Sequence, residues 1–91
     1  MAKTLMFRTP EKMMEHFCEH GAETNCDSAE EYLIRANVVI QNPESQSKYE
    51  TDEDDNDKIY YLSETGEIVF VSADGYIRTY FIADDEYFER Q

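Results

Sequence analysis

Basic residues are scarce in this 91-residue chain: 8 Lys and Arg stand against 21 Asp and Glu, for a formal charge of −13. A surface so acidic repels phosphate backbones and anionic membranes, which argues against a conventional electrostatic DNA- or RNA-binding module. Cysteine is scarcer still, with Cys18 and Cys26 alone. Two are too few for a disulfide scaffold, and in a reducing compartment both are expected as thiols. The three glycines, Gly21, Gly66 and Gly75, form no phosphate-cradling loop. A Gly-x-Ser-x-Gly nucleophile elbow is absent too. No apolar run approaches the roughly 20 residues that span a bilayer, so no membrane association is expected. Met1-Ala2-Lys3-Thr4-Leu5-Met6-Phe7-Arg8 lacks the apolar run and small-residue cleavage site of a signal peptide, and a cytoplasmic location is the expectation.

Aromatics are plentiful, with 7 Tyr and 5 Phe. Highly charged disordered chains usually lack them, so a folded core is expected. The length suits one domain, spanning residues 1–91.

Residues 3–8 read as a short strand. Thr9 then reads as an N-cap with Pro10 at the first helical position, where its missing N–H costs nothing. That predicts a helix over 10–20, stopped by Gly21, with Met13, Met14 and Phe17 as its buried stripe. Ser28-Ala29-Glu30-Glu31 is a capping box, and the helix it opens is predicted over 28–41, before Asn42-Pro43. Its apolar face comprises Ala29, Tyr32, Leu33, Ala36, Val39 and Ile40.

Residues 42–57 show no periodicity and read as a solvated acidic loop. From Lys58 to Ile82 the period changes from 3.6 to 2, giving strands at 58–62, 67–72 and 76–82 with glycine-bearing hairpin loops between them. Residues 83–91 read as an acidic tail. The expected fold class is α+β: a short N-terminal strand and two helices packed on a three- to four-stranded antiparallel β-meander.

Ten of the thirteen net negative charges fall after residue 43. They concentrate in Asp52-Glu53-Asp54-Asp55-Asn56-Asp57 and in Asp84-Asp85-Glu86-Tyr87-Phe88-Glu89. The first run sets Asp52, Asp54 and Asn56 at alternate positions, like a calcium loop. However, Asp57 stands where that loop needs glycine and Ser63 where it needs a bidentate Glu, so a solvated charge run is the expectation.

His16 and His20 stand four apart, the helical spacing that sets two imidazoles over one metal ion. Further ligands are missing from the pattern, since Glu23 or Cys26 reach only if the turn folds back. No metal and no cofactor are therefore expected. What remains is acid/base chemistry on RNA, in which an imidazole takes the proton of a ribose 2′-hydroxyl and a cation with hydroxyl donors steadies the phosphorane. His16 and His20 supply imidazoles, Lys58 and Arg78 cations, and Thr79, Tyr60 and Tyr80 hydroxyls. Along a regular strand Ile77, Thr79 and Phe81 share one face and Tyr76, Arg78, Tyr80 and Ile82 the other. Arg78 and Thr79 therefore reach one cleft only across a β-bulge.

The order of motifs carries a resemblance. His16-Phe17-Cys18-Glu19-His20-Gly21 is followed by Ser28-Ala29-Glu30-Glu31-Tyr32-Leu33 and Ala36, then by Ile59-Tyr60-Tyr61-Leu62 and Gly75-Tyr76-Ile77-Arg78-Thr79-Tyr80-Phe81. Over about His16 to Phe81 the chain resembles the barnase/EndoU/RelE-like ribonuclease superfamily. Within it, the likeness is to nuclease modules of phage head-associated proteins and of bacterial contact-dependent toxins. The resemblance implies two helices on an antiparallel sheet and metal-independent RNA cleavage. It also implies His16 or His20 as acid/base, with Arg78 and Thr79 near the phosphate.

Three functional expectations follow. One is a small phage or mobile-element ribonuclease acting on structured RNA. Another is a non-catalytic acidic mimic of nucleic acid that occupies a basic nucleic-acid-binding protein, such as a CRISPR effector, in anti-CRISPR fashion. That reading rests on Asp52, Glu53, Asp54, Asp55, Asp57, Asp84, Asp85 and Glu86, with Tyr87 and Phe88 as anchors. The third is an acidic domain whose charge serves only solubility.

Overall fold

A computed structural model describes residues 4–50 and 56–91. Helix α1 runs Pro10–His20, and Thr9 caps it by accepting the Lys12 N–H on Oγ1 at 3.1 Å. Its last turn closes where the Gly21 N–H reaches the Phe17 carbonyl at 2.7 Å. Gly21 keeps a right-handed φ of −59°, so left-handed freedom is not its use. A Cβ there would stand 2.6 Å from the Phe17 ring, and only glycine lets that ring fold under the helix end. Met14, expected in the buried stripe, is exposed, whereas Met13 and Phe17 pack on the core.

Helix α2 runs Ala29–Gln41 from an N-cap at Ser28, whose Oγ accepts the Glu31 N–H at 3.1 Å. The Glu31 carboxylate reaches back to the Asp27 N–H at 2.7 Å, one residue earlier than a standard capping box. Tyr32, Leu33, Ala36 and Val39 are buried as expected, and Asn37 is buried with them.

The expected N-terminal strand is not confirmed. Phe7 makes a single parallel bridge to Ile77, and the rest of residues 4–8 pairs with no strand. Asn37 takes the place of a strand neighbour. Its Oδ1 accepts the Leu5 N–H at 2.7 Å, and its Nδ2 donates to the Leu5 carbonyl at 2.9 Å. An amide side chain carries one acceptor and two donors, so it can replace one rung of a ladder.

Strands β1 (Gln46–Tyr49), β2 (Lys58–Leu62), β3 (Glu67–Val71) and β4 (Ile77–Ile82) form one antiparallel sheet in the order β1-β2-β3-β4. β1 lies inside the region expected as loop. It is an edge strand with three of its four residues exposed, so it carries no hydrophobic alternation to betray it. It forms because the β2 edge offers unpaired backbone groups, and Gln46 opposes Tyr61 through to Tyr49 opposite Lys58. Gly66 and Gly75 occupy the two hairpin loops with φ of 81° and 93°, as the turn chemistry predicts.

All of β3 is buried, because the sheet is covered on both faces. Leu62, Val69, Val71, Ile77 and Tyr80 meet Tyr32, Leu33, Ala36 and Val39 of α2. Ile59, Tyr61, Ile68 and Phe70 form a second core with Phe88. Phe88 belongs to helix α3 (Asp85–Arg90), which corrects the expectation of an acidic tail. Asp84 caps that helix through the Tyr87 N–H at 2.8 Å, and Asp85 accepts the Tyr61 hydroxyl at 2.7 Å. The acids that made this segment look like a tail are the first turn of a helix, where carboxylates are favoured.

The ladder between β3 and β4 is irregular. Val71 opposes Ile77 and Phe70 opposes Thr79, leaving Arg78 without an opposite residue. This bulge brings Ile77 and Tyr80 to the same face, against the strict alternation the sequence suggests. Tyr80 then donates its hydroxyl to the buried Glu67 carboxylate, and its carbonyl accepts the Tyr32 hydroxyl from α2.

Two predictions test this packing. Phe88→Ala removes the α3 anchor and is expected to lower stability by about 3 kcal/mol in urea unfolding, whereas loss of a solvated tail residue would change nothing. Burial pushes the Tyr32 and Tyr80 phenols well up and that of Tyr61 up to about 12. A raised folded-state pKa gives stability that is complete below the unfolded value, about 10, and is lost as pH rises toward the folded one. Melting temperatures followed by circular dichroism should therefore fall steeply above about pH 10.

Candidate functional site

Lys12, His16 and His20 stand four apart along α1, on one stripe of the helix. His16 stacks on Phe7 at 5.7 Å and on His20 at 6.2 Å between ring centroids. Phe7 is itself buried and stacked on Tyr32 at 6.0 Å, so the imidazole is supported from the core outward. Burial pushes the His16 pKa down, and only in part do Glu19 and Glu15 oppose it. The shift favours the neutral imidazole, the form that can accept a proton. Its Nδ1 is buried without a hydrogen-bond partner among the described residues.

His16 opens on a cleft of about 500 Å³ lined also by Arg8, Lys12, Glu50, Asp57, Phe70, Ser72, Tyr76, Ile77, Arg78 and Thr79. The bulge at Arg78 lets both Arg78 and Thr79 line it, which regular alternation forbids. His20 does not line this cleft. It lies behind His16, 5.4 Å from the Phe81 ring. The structure therefore brings together His16, Arg78 and Thr79 from the expected set and sets His20 apart from the cleft.

The cations of the cleft are held rather than loose. Arg78 pairs at 3.2 Å with Asp57, whose side chain is only 4% exposed. Arg8 makes two 2.8 Å bonds to the Asp74 carboxylate and lies 4.5 Å over the Tyr76 ring. Ser72, and then Arg8, hold the Asp74 carboxyl below its ordinary range. Sequence reading missed Arg8 and Lys12. Lys12 carried a signal, its position one turn before His16. Arg8 carried none, because a single bridge between Phe7 and Ile77 delivers it.

Other expected participants are occupied elsewhere. The Tyr80 hydroxyl is buried against Glu67. Lys58 and Tyr60 line a second, smaller hollow with Tyr49, Asn56 and Ser72. Of the acidic residues, Asp57 is buried beside Arg78, Asp84 caps α3, Asp85 holds Tyr61, and Glu86 lies 3.5 Å from Arg90. Asp52, Glu53, Asp54 and Asp55, with most of the calcium-loop pattern, lie outside the described residues. Phe88 is buried and so cannot serve as an exposed anchor. Cys18 and Cys26 are both free, the first exposed and the second buried. No described helix is long and apolar enough to cross a membrane.

No protein-family model matches the chain, and no curated protein matches it in sequence. The site itself is a cleft that gathers three cations, two of them paired with Asp57 and Asp74, beside an imidazole and Glu50, and the cations make an anion the ligand to test. Lys12→Ala and Arg78→Ala should each weaken binding of inorganic phosphate about tenfold, read from NMR shifts of cleft amides. Glu86→Ala, outside the cleft, should leave that affinity unchanged.

Proposed function

We propose that this protein is a metal-independent endoribonuclease, with its chemistry in the cleft beside His16. The observation that carries the reading is convergence. His16 and the Arg78–Thr79 pair lie some sixty residues apart in sequence, yet line one cleft with Arg8 and Lys12. The motif order that resembles nuclease modules of phage proteins and contact-dependent toxins points to the same residues.

In this reading His16 takes the 2′-hydroxyl proton, and the 2′-oxygen bonds to phosphorus. Lys12 and Arg78 face the charge that builds on the phosphorane, and Thr79 donates a hydroxyl to it. The bond to the 5′-oxygen breaks, that oxygen takes a proton from solvent water while protonated His16 returns its proton to solvent, and a 2′,3′-cyclic phosphate remains. His20 positions His16 by stacking behind it.

The acidic-mimic reading has less to stand on. Asp57, Asp84 and Asp85 are spent on contacts within the chain, and Phe88 is core.

Total RNA incubated with the protein in excess EDTA should be cut, and His16→Ala should slow cutting at least 100-fold, the usual worth of a general base. RNA left intact by the wild type would overturn the reading. Cutting undiminished in His16→Ala would remove that residue from the mechanism.

A further inference from the structure

Behind the cleft, His20 sits between two carboxylates. Its Nδ1 lies 3.1 Å from Glu23 Oε1, and Glu23 Oε2 accepts the Ile82 N–H at 3.0 Å. The opposite ring nitrogen, Nε2, lies 3.5 Å from Glu19 Oε2. His16 completes the group: one donor atom each from His16, Glu19 and His20 fall within 4.8 Å of one another.

This is the arrangement of a carboxylate–histidine–metal relay. An imidazole that binds metal through one nitrogen usually gives the other to a carboxylate, which fixes its tautomer and orientation. Glu23 is placed to do that, and the Ile82 N–H anchors Glu23 in turn. Two donors bound to zinc at about 2.0–2.1 Å are about 3.3 Å apart in a tetrahedron. The His20–Glu19 separation of 3.5 Å is already close to that edge. The spacing i, i+3, i+4 supplies the third donor that two histidines alone lack. Glu19 is the side chain that supplies it, where the sequence had offered only Glu23 or Cys26. Two imidazoles and one carboxylate suit a zinc-class ion and suit magnesium or calcium poorly, since those prefer oxygen donors throughout.

We propose that His16, Glu19 and His20 bind one zinc-class ion, and that the bound ion removes His16 from acid/base work in the cleft. The second half rests on the ribonuclease reading; the first stands on the geometry alone.

Cobalt(II), whose visible absorption reports coordination, is titrated into EDTA-stripped and desalted protein, and zinc is used to displace it. One cobalt per chain is expected, displaced by zinc and not by millimolar magnesium. His20→Ala should abolish the spectrum. Glu19→Gln, a change at an exposed carboxylate that leaves the fold intact, should weaken binding at least tenfold. Glu23→Gln should weaken it about tenfold through lost orientation. Absence of a cobalt spectrum, or affinity indifferent to both Glu19→Gln and His20→Ala, would overturn the site. With RNA, cutting by the stripped protein should fall in step with zinc occupancy, and Glu19→Gln should shift that inhibition to higher zinc. Full cutting by the zinc-loaded protein would overturn the inhibitory role. A stripped protein that cuts nothing would sink the ribonuclease reading and with it the inhibitory role, while the cobalt titration still decides the metal site.

Discussion

Between Ile77 and Thr79 the β3–β4 ladder passes over Arg78, so that Val71 opposes Ile77 and Phe70 opposes Thr79. Without that extra residue, Tyr80 would share the face of Arg78 and point away from Ile77. With it, Ile77 and Tyr80 both enter the helix-side core, and Arg78 and Thr79 both reach the cleft. The same irregularity thus sets the packing of α2 on the sheet and the composition of the cleft. A bulge of this kind re-aims side chains at a modest cost in ladder hydrogen bonds.

Tyr80 is the junction that makes the bulge structurally durable. Its carbonyl accepts the Tyr32 hydroxyl from α2, and its own hydroxyl is given to Glu67 on β3. Thr65 adds a second hydroxyl to the Glu67 carboxylate at 2.7 Å. A carboxylate buried alone is costly, but one that accepts hydroxyls from two directions is accounted for, and such a network favours one register over its neighbours. Asn37 does the equivalent work for the N-terminal segment. These polar contacts, set inside an apolar core, tie α2, β3, β4 and residues 4–8 into one arrangement. The arrangement in turn holds Arg8 and His16 on the same side.

What the sequence made legible follows the strength of its periodic signals. Thr9-Pro10 and Ser28 announced both helices because capping is local chemistry. The three strands from Lys58 onward were visible through alternation and through Gly66 and Gly75 in their turns. β1 and α3 were not, for opposite reasons. β1 is an exposed edge whose residues pack on little, so nothing in Gln46-Ser47-Lys48-Tyr49 alternates. α3 hides a single buried Phe88 among charges that are themselves its cap and first turn. In the cleft, His16, Arg78 and Thr79 could be named from chemistry and motif order. Their meeting depends on a bulge, and Arg8 on a bridge between segments 70 residues apart, which no local pattern encodes.

The overall charge needs to be weighed against this local geometry. Charges more than about 8 Å away are largely screened at physiological salt, whereas the body of the protein measures 30 × 29 × 27 Å. The potential inside the cleft is therefore set mainly by Arg8, Lys12 and Arg78 against Glu50, Asp57 and Asp74, and much less by acids on α3 across the sheet. Asp57 and Asp74 reduce the positive charge of the cleft, but they also fix where it points. Each carboxylate holds its arginine's guanidinium in a fixed orientation. Net charge and local composition are thus separate quantities here: a chain of −13 still sets three cations and an imidazole along one cleft, beside Glu50 and Asp57.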